Sequence, residues 1–162
     1  METRARRAPR PLQGLTRPSG FLVVTIAAAL LASTAHAQKK EYSYEDNPVR
    51  LGLAALHQGK WAEAKAHLEE AVQNDVDPPH AHWGLAVVAA RQGDDAAADS
   101  LFQLAINEQK GGAFPEAHAE RALLLMRLDK DEAAAAEIGQ ALKEDKNRWD
   151  VQFAKEIGRA HV

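Results

Sequence analysis

A pattern of small and large apolar residues recurs along the chain at a nearly fixed spacing. Gly59 is followed 34 residues later by Gly93, and Asp129 occupies the corresponding place 36 residues after that. Few residues around these positions are identical, but the order of side-chain sizes is the same. The aligned sets are Gly52, Ala86 and Ala122; Ala64, Ala98 and Ala134; Leu68, Phe102 and Ile138; Ala71, Ala105 and Ala141; and Val72, Ile106 and Leu142. Such a period indicates stacked helix pairs, whose packing fixes the spacing and leaves surface identity free.

The repeats consist of helix-forming sequence. Alanine, leucine, glutamate, lysine and glutamine dominate, and β-branched residues nowhere alternate as in a strand. Gly59 and Gly93 predict left-handed helix ends. Helix starts are predicted at Asn47-Pro48, Asp77-Pro78, Pro115 and Asn147. We therefore expect helices over 47–58, 61–74, 78–91, 94–109, 115–128, 131–145 and 148–160, with short connections that make neighbours antiparallel.

The first 37 residues predict a secretory signal peptide. A basic lead containing five arginines precedes the uncharged apolar run Phe21–Ala32, and Ala35-His36-Ala37 has the small-x-small form of a cleavage site. We expect cleavage near Ala37, a periplasmic or secreted mature chain, and a flexible N-terminal arm over residues 38–46. Retention of residues 19–35 as an uncleaved membrane anchor is the alternative.

The charge of the mature chain restricts its partners. The leader holds five arginines and one glutamate, so the 20 basic and 23 acidic residues of the whole chain fall to 15 and 22 beyond it. This acidic balance argues against nucleic acid, or a membrane surface after signal cleavage, as the main partner. Cysteine is absent, so packing and not disulfides must hold an exported domain together.

No motif predicts catalysis, a cofactor or a metal. The sequence has no glycine-rich phosphate loop after a strand and no serine in a nucleophile turn, so we predict that the protein is not an enzyme. His80 and His82 are two residues apart on a helix and face different directions, unlike a zinc-ligand pair. His82 and His118 occupy equivalent repeat positions and are interpreted as partly buried structural histidines, with a shared metal site as the less favoured alternative.

The recurring positions resemble the tetratricopeptide repeat (TPR). The resemblance covers 46–147 and departs from the family pattern where Asp129 replaces a turn glycine and where Pro48, His82 and His118 replace a tryptophan. It implies an all-α fold, a short right-handed α-solenoid of three helix-turn-helix repeats plus a C-terminal capping helix. The repeats would span about 45–78, 79–112 and 115–146, within 47–146, and the cap 147–162. A non-repeating helical bundle is the alternative.

The last helix carries an apolar stripe formed by Trp149, Phe153 and Ile157 on an otherwise polar helix. We expect this stripe to cover the open end of the solenoid, as terminal units must. A free helix that binds a partner is the alternative interpretation.

The resemblance also implies a protein or peptide partner, bound on a concave face lined by the first helix of each pair. The positions carried over are Val49, Leu53, Leu56, His57, His80, Trp83, Val87, Arg91, Glu116, Ala119, Leu123, Met126 and Arg127. Family members that clamp a C-terminal carboxylate use lysine and asparagine where this chain has Val49, Leu53, Trp83, Val87, Ala119 and Leu123. An apolar or helical segment is therefore expected instead. Closure of the groove by the Tyr42/Tyr44 arm, or by its own side chains, is the alternative.

These observations predict a periplasmic TPR adaptor or scaffold that binds an apolar or helical segment of a partner protein. The alternative is a structural or chaperone-like subunit of an envelope assembly, such as one for cytochrome maturation or cell-envelope biogenesis. A homodimer is a further possibility.

Overall fold

The computed structural model describes residues 40–161, which form seven α-helices and no strands. They are α1 Pro48–His57, α2 Trp61–Gln73, α3 Pro78–Gln92, α4 Asp95–Glu108, α5 Pro115–Arg127, α6 Asp131–Glu144 and α7 Trp149–His161. Every bound lies within one residue of the prediction, and the all-α solenoid fold is confirmed. None of these helices has both the length and the apolarity needed to cross a membrane. The predicted signal peptide, 1–37, lies outside the described residues.

The ends of the helices largely follow the predicted signals. The Asn47 side chain caps α1 by accepting a hydrogen bond from the Arg50 N–H at 3.1 Å. Gly59 and Gly93 have φ angles of 70° and 82°, and Asp129 keeps the same left-handed conformation in the third repeat at 54°. Aspartate tolerates this region better than most residues, so the turn survives the loss of glycine.

Two of the predicted helix starts lack a side-chain cap from the expected residue. Asp77 precedes Pro78 but has a φ of 43°, and its carboxylate meets the Nδ1 atom of His80 at 2.9 Å instead of capping α3. The last helix begins at Trp149, one residue too late for Asn147 to be its cap, and the Asn147 N–H donates to Asp145 at 2.9 Å. At Asp77 a neighbouring side chain competes for the capping carboxylate, and at Asn147 the helix begins beyond the reach of the cap; residue type alone reveals neither.

The interiors of the hairpins explain why the spacing recurs. Ala64, Ala98 and Ala134 are all buried. A Cβ atom placed on Gly52 would lie 2.6 Å from Leu68 Cγ, and one placed on Gly84 would lie 2.7 Å from Leu68 Cδ1. The buried Leu68 of α2 therefore occupies space that exists because α1 and α3 each present a glycine to it.

Each of the last two hairpins also contains a histidine–carboxylate contact. The buried His82 of α3 places Nδ1 2.6 Å from Glu108 of α4. The buried His118 of α5 places Nδ1 2.6 Å from Glu137 and Nε2 3.4 Å from Glu144, both on α6. The equivalent histidines thus bond the two helices of their own hairpin together and do not meet each other in a shared site.

The packing of α7 differs from that of the helices before it. Whereas α3 and α5 each pack more on the helix directly before them than on the helix before that one, α7 packs more on α5 than on α6. Its buried face consists of Asp150, Val151 and Ala154, while Trp149 and Phe153 are 77% and 52% exposed. The expectation that Trp149 and Phe153 cover the end of the solenoid is therefore wrong. Small residues let α7 approach α5 closely, which leaves the aromatic rings on the open side.

Candidate interaction groove

Three cavities of about 380, 210 and 130 Å³ run along α1, α3, α5 and α7. Arg91 and Glu120 border all three, so the cavities are parts of one depression, which we call the groove. The other lining residues are Leu53, Leu56, His57, Trp61, Trp83, Val87, Ala90, Phe102, Ala119, Leu123, Leu124, Arg127, Arg148, Trp149, Asp150 and Phe153. The first helices of the three hairpins and α7 together form its walls.

The structure brings most of the predicted groove residues together. Those that line it are Leu53, Leu56, His57, Trp83, Val87, Arg91, Ala119, Leu123 and Arg127. Val49 and Met126 instead lie in the core, with Val49 in the cluster around Leu68 and Met126 in the cluster between α5, α6 and α7. His80 packs on the Phe114 ring at 4.9 Å, and Glu116 pairs with Arg148 at 3.5 Å.

Sequence reasoning missed one wall of the groove and its central carboxylate. The wall is Arg148, Trp149, Asp150 and Phe153 of α7 and its approach, together with Trp61 at the start of α2. Their aromatic stripe was visible in the sequence, but which way it faces depends on the packing of α7. The sequence could have predicted Glu120 as a groove residue, because Glu120 lies three residues before Leu123 and therefore on the same face of α5.

Exposed aromatic rings surround the groove. Trp149, Phe153 and Trp61 are the exposed aromatic residues that line it, and Trp61 is 37% exposed. Trp83 lies deeper, with its ring 6.3 Å from that of Phe114 and a buried indole N–H that has no hydrogen-bond acceptor within residues 40–161. Clustered apolar surface of this kind around a concave site is typical of interaction surfaces.

Charged residues on the α7 side are paired. Arg148 donates to both carboxylate oxygens of Asp150, at 3.1 and 2.9 Å. Burial disfavours the charged form of Asp150, but the hydrogen bonds from Arg148 and from the Val151 N–H outweigh it and hold the pKa of this carboxyl below its usual value. Asp150 is therefore an anion at neutral pH that already has its donors. Arg127, at another edge of the groove, is paired with Asp95.

Glu120 has a different environment. Burial raises the pKa of this carboxyl above its usual value, the positive charge of Arg91 opposes that rise, and the negative charge of Asp150 adds to it. No side chain or backbone group in the described part of the chain forms a hydrogen bond or an ion pair with it. The middle of the groove thus holds a partly buried acid without a partner.

The N-terminal arm does not enter the groove over the residues that the structure describes. The Tyr42 hydroxyl donates to Glu70 on α2 at 2.9 Å, and Lys40 pairs with the same carboxylate at 3.0 Å. The Arg50 guanidinium lies 5.0 Å from the centre of the exposed Tyr44 ring. Neither tyrosine lines the groove, so closure by Tyr42 and Tyr44 is wrong.

The chemistry of the groove suits apolar contact and hydrogen bonding. Within residues 40–161, no three histidine, aspartate or glutamate side chains are arranged to hold a metal ion. Glu120 and Asp150 are the carboxylates that line it, and its remaining surface is largely aliphatic and aromatic.

Comparison with known proteins gives a consistent family. The family model described as tetratricopeptide repeat matches residues 49–118. The TPR domain of Arabidopsis OM64 is 19% identical with a TM-score of 0.63, over 71% of this chain and 93% of that chain. The first TPR domain of human RPAP3 is 20% identical with a TM-score of 0.62, over 70% and 88%.

A third similar structure contains a peptide. The first TPR of Spaghetti (RPAP3), bound to the HSP90 peptide SRMEEVD, is 22% identical with a TM-score of 0.59, over 70% of this chain and 92% of that one. None of the curated proteins compared with this chain matches it. The shared fold supports a protein–protein interaction scaffold, and proteins of this type are generally non-catalytic. The matching family model and the shared solenoid fold together show that this chain contains tetratricopeptide repeats over residues 49–118.

Proposed function

We propose that this protein is a periplasmic adaptor whose groove binds an apolar or helical segment of another protein. The observation that carries the proposal is the pair of exposed rings of Trp149 and Phe153 beside the apolar floor formed by Leu53 and Val87. Because packed helices hold these groups in place before contact, binding costs less conformational entropy than it does for a mobile loop.

The groove favours an apolar segment over an acidic C-terminus. In the similar Spaghetti domain the bound peptide ends in EEVD. Here the positions that would supply cationic and amide donors to such a peptide are apolar, among them Trp83, Val87 and Leu123. The carboxylate of Glu120, which has no hydrogen bond or ion pair, would in addition repel its negative charges.

Periplasmic location rests on the basic, apolar and cleavage regions of residues 1–37. Expression of the full chain in a Gram-negative host, followed by fractionation and mass spectrometry, tests it. We expect a periplasmic product that begins at Gln38. A product that keeps residues 1–37 and pellets with the membrane would support the anchor alternative instead.

In-cell photocross-linking tests the groove. A photoreactive residue at position 153, on the groove wall, should capture one predominant partner, whereas the same residue at position 69, an exposed site on α2, should not. Trp149→Ala should reduce capture from position 153 about tenfold or more, since large aromatic anchors dominate such interfaces. Equal capture from both positions, unaffected by Trp149→Ala, would remove the support for the groove.

A further inference from the structure

Partly buried carboxylates outside the groove centre all have partners. Glu108 meets His82 at 2.6 Å, and Asp99 meets Arg121 at 2.7 Å. On the α7 side, Arg148 lies within 3.5 Å of Glu116 and 2.9 Å of Asp150. Among the buried and partly buried acids of residues 40–161, Glu120 alone has neither a hydrogen bond nor an ion pair. A carboxylate that is partly withdrawn from water and has no donor within the protein is a cost to the folded state.

Glu120 lies where a ligand in the groove could contact it and offset that cost. It borders all three cavities of the groove, beside the apolar side chains of Val87, Leu123 and Phe153. The carboxylate oxygens of Glu120 remain accessible. In the described chain the only fully buried side-chain nitrogen or oxygen without a hydrogen-bond partner is the indole nitrogen of Trp83, so the unpartnered oxygens of Glu120 are not fully buried. A group that enters the groove can therefore reach the carboxylate.

The balance of charge around Glu120 specifies which kind of group fits. The acids at this end are Glu116, Glu120 and Asp150, and the bases are Arg91 and Arg148. Arg148 serves Glu116 and Asp150, and the exposed Arg91 makes no ion pair with any described residue. Glu120 is thus the acid at this end without a direct ion pair, and it lies beside the apolar side chains of Val87, Leu123 and Phe153. A single cation on an aliphatic stem complements both properties.

We infer that the segment bound in the groove carries one lysine or arginine among its apolar residues, and that this side chain pairs with Glu120. The inference rests on the proposed function. The aliphatic stem would lie on the rings of Trp149 and Phe153, which can also attract the cationic head. This polarity is the reverse of the carboxylate clamp, because here the acid is on the scaffold and the base on the partner.

A selection from a display library of random 12-residue peptides on the full chain tests the inference. We expect the enriched peptides to share a lysine or arginine at one fixed position between apolar residues. In a synthetic copy of one such peptide, replacing that residue with methionine should weaken binding about tenfold or more.

Paired variants then locate the contact. Glu120→Gln should weaken binding of the cationic peptide by a similar factor and leave binding of the methionine peptide unchanged, which is the coupling expected of a direct pair. Glu69→Gln makes the same change of net charge at an exposed site on α2 and should alter neither affinity. Thermal melting of both variants verifies that they are folded.

The outcomes separate the inference from the proposed function. Enriched peptides without a cation, or full affinity of Glu120→Gln for the cationic peptide, would overturn the pairing with Glu120 but leave an apolar groove ligand. A selection that enriches nothing, or peptides that bind Trp149→Ala and Leu56→Ala as tightly as the unmodified chain, would overturn the proposed function itself. Concentration-dependent dimers that exclude the peptide and disappear in Trp149→Ala would make a second copy the occupant and overturn both.

Discussion

In the three hairpins, small residues are buried and their large neighbours fill the space beside them, whereas in α7 the two largest side chains remain in the open. Ala98 and Phe102 of α4 are both fully buried. Four residues also separate Trp149 from Phe153, yet these rings are 77% and 52% exposed and face the groove. α7 packs on α5 and α6 through Val151 and Ala154, and the two rings lie outside this contact. The same apolar spacing therefore builds a core in one region and a binding wall in the other.

The largest effect should come from emptying a hairpin interior. Leu68→Ala removes the buried side chain that packs against Gly52 and Gly84, and we expect a loss of about 2–5 kcal/mol in the free energy of unfolding. Urea denaturation measures it. Val72→Ala, a partly buried change on the same helix, is the matched control and should cost less. An equal loss at both positions would show that Leu68 is not central to the interface.

Overfilling a hairpin is the complementary test. Ala98→Trp forces an indole between α3 and α4, and should lower the free energy of unfolding by about 1–3 kcal/mol or more. Ala96→Trp places the same ring on the exposed side of α4 and should change stability by no more than about 0.5 kcal/mol. An unaltered denaturation curve for Ala98→Trp would contradict the repeat register.

Within α7, removal of the small side chain of Val151 should lower stability more than removal of the large side chain of Phe153. Val151 is buried against α5 and α6, so Val151→Ala should cost about 1–2 kcal/mol of stability. Phe153→Ala removes an exposed ring and should cost no more than about 0.5 kcal/mol, while it weakens ligand binding. Differential scanning calorimetry compares the two. A greater loss of stability from Phe153→Ala would mean that the stripe covers the core after all.

The smallest expected effect on stability is an increase, caused by Glu120→Gln. Folding raises the pKa of Glu120, so the unfolded chain releases this proton more readily and the contribution of Glu120 to stability falls as the pH rises through the folded pKa. Glu120→Gln should therefore raise the free energy of unfolding at pH 7, by up to about 1 kcal/mol, and the gain should vanish in acid. Melting curves between pH 4 and 8, with Glu69→Gln as control, measure this on the scale where carboxyl groups titrate. A loss of stability at neutral pH would show that Glu120 has a stabilising partner.

The sequence predicted the structure well where the repeat spacing places a residue between packed helices. The columns of Ala64 and Leu68 place their side chains inside hairpins without any knowledge of the fold, because spacing is what helix packing depends on. The turn at Asp129 was placed by the same period, despite the change from glycine. Nine of the positions carried over from the family line the groove for the same reason.

The sequence was less informative where tertiary contacts decide between local options. Asp77 resembles a helix cap, but its carboxylate bonds His80. The last helix lies outside the repeat register, so its periodicity shows an apolar stripe without showing whether Trp149 or Val151 faces the body. Whether Glu120 has a hydrogen bond or an ion pair depends on every donor around it, and only the assembled helices show that it has neither.

Thiol labelling at adjacent positions of α7 tests the orientation on which the groove depends. The chain has no cysteine, so Phe153→Cys and Ala154→Cys each introduce a single thiol. We predict that a maleimide labels the cysteine at position 153 at nearly the rate of a free thiol and the one at position 154 at least about 100-fold more slowly, because the second thiol reacts only when α7 opens. Equal rates, or faster labelling at position 154, would contradict the account.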